Sequence, residues 1–148
     1  MALGDGRLSM QEEVEQGRPQ GLDLLVLDAF NGDTLPVHLL TAEAFELYRR
    51  ELRGPSSVIA VNISNRYLDL EPVIARVAGH LGWNARIISS IDREHGRHPV
   101  TWALISGNPG VIEVGPEGGW RAAREDRGVP LWSDAYSNIL EVMRWWRG

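Results

Sequence analysis

Apolar and polar positions alternate along this chain in blocks that predict strands and helices in turn. Residues 22–29, LDLLVLDA, form a near-continuous apolar run, as expected of a strand buried on both faces of a parallel sheet. In TAEAFELYRREL, Thr41 is placed to cap a helix, and Ala44, Phe45, Tyr48 and Leu52 form an apolar stripe at helical spacing. Gly54-Pro55 ends that helix. SSVIAVNIS, residues 56–64, reads as a second buried strand. Glu71 to Leu81 is a second amphipathic helix, with Val73, Ile74, Val77 and Leu81 inward, Pro72 in its first turn and Gly82 as its stop. Residues 85–91 and 100–106 predict a third and a fourth strand.

The ends are less patterned. Residues 7–16 predict a short polar helix, and EQGRPQG a turn. Residues 107–132 are rich in Gly and Pro, which predicts an irregular excursion with at most one short helical turn. Ser133 is placed to cap a final helix, DAYSNILEVMRWW, that half-buries Trp145 and Trp146. Tyr136 and Asn138 there suit capping and packing better than catalysis. Buried strands alternating with amphipathic helices predict an α/β, doubly wound sheet, with the last two strands antiparallel at one edge. No repeat or low-complexity tract interrupts the pattern.

Composition narrows the chemistry. The chain has 148 residues, enough for one domain, and a net charge of −5, so no basic footprint for nucleic acid is present. It has no cysteine, which excludes disulfides, thiolate metal sites and a Cys nucleophile. The four histidines have no metal-ligand spacing, and His95 and His98 sit in a charged loop, so no metal is expected. The N-terminus has no signal-peptide pattern, and no apolar run reaches the ~18–20 residues that span a bilayer, so a soluble, cytoplasmic chain is expected.

The candidate chemistry lies on the loop after the first strand. In open α/β sheets, ligands bind at the carboxyl ends of strands. Asp28 ends the strand and Asp33 follows on the loop. Each also fits a structural reading, as a residue that hydrogen-bonds a turn or caps a helix. Asn62, Ser64, Asn65 and Tyr67 follow the second strand on the same side of the sheet, where they either shape a substrate pocket or form a turn.

Three segments in order, VLDAFNGDTLPVHLLTAEAF, AVNISNRYLDL and WSDAYSN, resemble bacterial spermidine synthase-like proteins. These are aminopropyltransferase relatives on the class I S-adenosylmethionine-dependent methyltransferase fold, some of them fused to a membrane portion. The resemblance runs from about Leu3 to about Trp145. It implies a Rossmann-like methyltransferase sheet of which this chain is the carboxyl-terminal part. The family's Gly-rich loop and its ribose-binding acid have no match here. The chain begins at the end of the third strand, and LGDGRLS carries the adenine-binding motif onto Asp5 and Gly6. Residues 1–148 are accordingly expected to be a single partial domain: a fragment, a truncated reading frame or one part of a split gene.

The resemblance also implies a reaction: transfer of an aminopropyl group from decarboxylated S-adenosylmethionine to a polyamine such as putrescine. The donor is a co-substrate, and no permanently bound cofactor is implied. The acceptor must react as a free amine, although an alkylamine has a pKa of roughly 10. Carboxylates are therefore needed to anchor one ammonium group and to receive a proton from the other nitrogen. Asp28 matches the first acid of the family's gate motif, and Asp33 can supply the second. The pattern departs at Asn31, which occupies the second acid's usual position, with Pro36 following later than usual. Acceptors other than putrescine fit that departure. Two other readings stay open: a methyltransferase acting on a small molecule, and a non-catalytic part that self-associates as a homo-oligomer or needs a complementary N-terminal chain.

Overall fold

The computed structural model describes residues 6–28, 36–90, 99–113 and 120–143. Helix α1 (Gly6–Glu15) leads through a turn into strand β1 (Leu24–Leu27), and Gly17 and Gly21 adopt positive φ in that turn. Helix α2 (Ala42–Glu51), β2 (Val58–Asn62), α3 (Glu71–Leu81), β3 (Asn84–Ser90) and β4 (Val100–Ser106) follow. The chain continues through a short helix α4 (Pro109–Glu113), β5 (Trp120–Ala122) and a 3-10 turn at Ile139–Val142.

The strands form one open sheet in the order β1-β2-β4-β3-β5. β1 and β2 are parallel, with Leu24 opposite Val58 and Leu27 opposite Val61. β4 inserts between β2 and β3, antiparallel to both, so β3 runs the same way as β1 and β2. β5 pairs antiparallel with the outer side of β3. The carboxyl ends of β1, β2 and β3 therefore share one end of the sheet with the amino ends of β4 and β5.

Strand pleating sorts the side chains by face. Leu25, Ile59, Val61, Ile87, Ala103 and Ile105 point to one face and join Phe45, Tyr48, Val73, Ile74 and Val77 of α2 and α3 in the core. Phe45 and Tyr48 meet edge to face, with ring centroids 5.1 Å apart, and the Tyr48 hydroxyl donates to Leu39 O. α2 starts where Thr41 Oγ1 accepts from Ala44 N, and α3 stops at Gly82, whose φ is +68°. These are the caps and apolar stripes read from the sequence.

α1 is anchored through charge. Arg7 donates to both carboxylate oxygens of Asp134 and to His38 O, while Thr41 Oγ1 also donates to Asp134. The hydrogen bond from Arg7 holds the Asp134 carboxyl below its ordinary value. At the other end of the sheet, the buried Glu51 accepts from Gln20 N through Oε2 and from Leu22 N through its backbone carbonyl.

Two sequence expectations are corrected. β1 is not buried on both faces: Leu24 is 54% exposed and Val26 52%, because among the described residues β1 is the outermost strand and helices cover only its other face. The last strands are antiparallel at one edge, as expected: β3 pairs with β4, and β5 adds antiparallel on the outer side of β3. No α-helix runs from Ser133 through Met143. Tyr136 N bonds back to Ser133, and Asn138 Oδ1 accepts from Leu140 N, so local side-chain bonds shape tight turns instead. Trp145 and Trp146 lie outside the described residues. No described helix is long and apolar enough to cross a membrane.

Phe45 is completely buried and Leu140 is 66% exposed. Phe45→Ala is expected to cost about 3–5 kcal/mol in urea unfolding. Leu140→Ala is expected to stay within about 0.5 kcal/mol of the parent chain.

Candidate functional site

The carboxyl end of the sheet gathers the candidate residues. Asp28 follows β1 directly and is exposed, while Asn62 ends the neighbouring strand β2 and is buried. Parallel pairing sets these strand ends side by side, and Asn62 Nδ2 donates to Asp28 Oδ1 at 2.9 Å. The same amide is fixed from behind, because its Oδ1 accepts from Ser64 N at 3.0 Å. Ser64 Oγ in turn accepts from Thr101 N at 2.8 Å, and Ile63 N donates to Thr101 O, which ties the end of β2 to the start of β4. Asp28 Oδ1 is thus held by a donor whose orientation is already set. Its Oδ2 takes no further hydrogen bond among the described residues.

The other sequence candidates are placed differently. Asn65 Oδ1 accepts from Tyr67 N and Leu68 N, an Asx-type turn. Tyr67 is 60% exposed, and the Arg66 guanidinium lies 5.8 Å from its ring centroid. Gly6 is the first residue of α1 and is exposed. Asp5, Asn31 and Asp33 lie outside the described residues, as do His95 and His98. Among the described residues, no group of three His, Asp or Glu could hold a metal ion.

A second cluster at this end carries no local sequence signal. A cavity of about 640 Å³ opens beside Ile63, Ser89 and Thr101, and Asp69, Glu71, Arg121, Arg124, Glu125 and Asp126 line its polar wall. Asp28 does not line it, but its neighbours do: Asn62 precedes Ile63, and Ile63 bonds to Thr101. Glu71, at the start of α3, is buried and takes Arg121 on both carboxylate oxygens, plus Arg124 N at 2.6 Å. Arg124 also pairs with Asp69. Burial alone would raise the Glu71 carboxyl, but hydrogen bonds from Arg121 and Arg124 N, with the charges of both arginines, hold it below its ordinary value. The same hydrogen bond raises Arg121. This clamp fastens β5 and the segment after it to α3. Its partners lie 50 or more residues apart, so no spacing rule finds them. The one hint in the sequence was an acid beside Pro72 in the first turn of a helix.

With this geometry in view, comparison with solved structures is informative. The chain is similar to a probable spermidine synthase from Corynebacterium glutamicum, with a TM-score of 0.56 and 18% identity over 93% of this chain. It has the fold of a spermidine synthase-like protein. At that identity the likeness is one of fold: a mixed, open sheet with flanking helices, of the doubly wound, Rossmann-like methyltransferase type. The chain spans 55% of the length of that structure. No protein-family model matches the chain, and no curated protein aligns with it.

The Glu71 clamp makes a pH-dependent contribution to stability. A carboxyl held below its ordinary value of 4.5 stabilises the folded chain fully above that value. The contribution is lost as pH falls below it. Glu71→Gln is expected to cost about 2–3 kcal/mol at neutral pH, allowing for the half-exposed Arg121. It should also flatten the loss of stability as pH falls below 4.5. Urea unfolding of both chains across that range checks this.

Proposed function

We propose that this chain is an aminopropyltransferase-like domain that acts on decarboxylated S-adenosylmethionine and a polyamine acceptor in the cytoplasm. The observation that carries the reading is the Asp28 carboxylate at the carboxyl end of the strands, oriented through Oδ1 by Asn62, with no further hydrogen bond to Oδ2 among the described residues. The likeness in fold to a probable spermidine synthase supports it. So does the neighbouring cavity, whose wall carries four carboxylates against two guanidiniums, a balance that suits a cationic ligand.

In this reading Asp28 Oδ2 accepts from the acceptor's reacting nitrogen. The amine lone pair attacks the carbon beside the donor's sulfonium, and the C–N bond forms as the C–S bond breaks. The electron pair leaves on sulfur as neutral methylthioadenosine. The proton lost by nitrogen passes to the carboxylate. Asp33 serves as the second acid, and Asn31, Asn65 and Tyr67 contribute to the acceptor pocket. Asp5 and Gly6 contact the nucleoside. Asn62 keeps Asp28 aimed, so that a carboxylate on an exposed loop does not have to be ordered at each turnover. Because the chain spans 55% of the structure it matches, its activity by itself is proposed to be weak or absent.

Calorimetric titration with putrescine and with decarboxylated S-adenosylmethionine tests this reading, with the mass followed by light scattering. Putrescine binding is expected to weaken at least about tenfold in Asp28→Asn, the loss of roughly 1.4 kcal/mol of charge contact. Asn62→Ala is expected to have a smaller effect of the same sign. Equal binding by the Asp28 variant, or no binding by the parent chain, would count against the reading. Aminopropyl transfer by the chain alone on the order of 10 s⁻¹, a typical enzyme rate, would contradict its proposed weakness.

A further inference from the structure

One wall of the 640 Å³ cavity comes from the stretch of chain that begins with β5. Arg121, Arg124, Glu125 and Asp126 line the cavity there. On its other side the same stretch stands off from the middle of α3. A groove of about 280 Å³ is lined by Ala75, Ala78 and Gly79 of α3 and by Ala122 and Ala123 opposite. Glu125 borders both spaces. Side chains this small do not interlock across the groove, so close packing contributes little to holding this stretch on the helix.

Charge and hydrogen bonds hold it instead. No residue of segment 120–128 is fully buried; Ala123 packs partly against the core, and Val129 just beyond is buried. At one end β5 pairs with the outer side of β3, and Ala123 N donates to Ala85 O. At the other end Arg76 donates to Val129 O and Arg127 O, and Gly128 N closes a turn on Asp126 Oδ1. Between these ends, Glu71 holds Arg121 and Arg124 N, and Asp69 holds the Arg124 side chain. Both arginine side chains are 54% exposed, so salt screens these contacts. A segment with few buried apolar contacts opens locally at low free-energy cost.

We propose that segment 120–128 is a movable wall of the cavity, latched onto the start of α3 by Glu71 and Asp69. Its two ends, β5 and the turn at 126–129, serve as hinges, and the groove beside α3 gives it room to shift. Release of the latch uncovers the cavity floor at Ile63 and Leu70, which line the cavity and are buried. The core of the sheet stays folded as this happens. Ionic strength thereby sets how readily a ligand reaches the floor, whatever that ligand is and whatever reaction Asp28 serves.

The chain has no cysteine, so one introduced thiol reports the opening. The probe is N-ethylmaleimide, which is uncharged, so that salt acts on the latch and not on the reagent. Leu70→Cys is expected to react at least about tenfold faster than global unfolding of the same variant allows, as read from its urea transition. Its rate should rise at least about threefold between roughly 0.05 and 0.5 M sodium chloride. Ala103→Cys, in the core and away from the cavity, should react only as fast as its own global unfolding. Adding Glu71→Gln to Leu70→Cys should raise the rate at low salt and remove most of its salt dependence. The Arg124 amide, whose bond to Glu71 breaks as the wall moves, should exchange with the salt dependence of the parent latch. If Leu70→Cys fails to fold, Ile63→Cys serves instead, with the same expected rates. Labelling of the floor that merely tracks global unfolding overturns the proposal. So does fast labelling that is indifferent to salt and to Glu71→Gln, because the floor would then be reached with the wall in place.

Discussion

The parallel pairing of Leu24–Leu27 with Val58–Val61 sets the geometry on which the rest of the molecule depends. Leu25, Ile59 and Val61 share one face, and α2 and α3 bury them there. The same pairing makes both strands end together, which puts Asp28 and Asn62 within hydrogen-bond reach. A shift of one residue in this register would turn the buried set outward and separate the two polar residues. Core packing and site geometry are therefore held by a single alignment.

Around that alignment the ligand end of the sheet is fastened twice. Ser64 and Thr101 lock the end of β2 to the start of β4, behind Asn62. Glu71 draws Arg121 and the Arg124 backbone onto the start of α3. Buried charge contributes stability only when its hydrogen bonds are met, and the Glu71 carboxylate has them on both oxygens. The result is a polar cavity with defined walls beside an aspartate whose orientation is already fixed.

The helices α2 and α3 could be read from the sequence because packing and capping agree there. Thr41, Gly82 and the stripes through Phe45 and Val77 all point to the same boundaries. Asp28 and Asn62 could be located because polar residues stand where apolar runs end. The exposure of Leu24 and Val26 could not, since an apolar run reads alike whether or not something covers it. The segment from Ser133 looked helical by composition, but the Ser133 and Asn138 side chains compete for the backbone and turn it instead. The Glu71 clamp was invisible because it is made entirely by tertiary contact.

The strong side of the sheet is β2 and β4, and its weak side is β1, the outermost strand among the described residues. Amide hydrogen exchange on the 148-residue chain alone tests that asymmetry most directly. The account predicts that the Leu24–Leu27 amides exchange at least about 100-fold faster than those of Ile59–Val61, because local opening of an uncovered edge needs no global unfolding. Equal protection of the two strands in a chain that remains monomeric would contradict it.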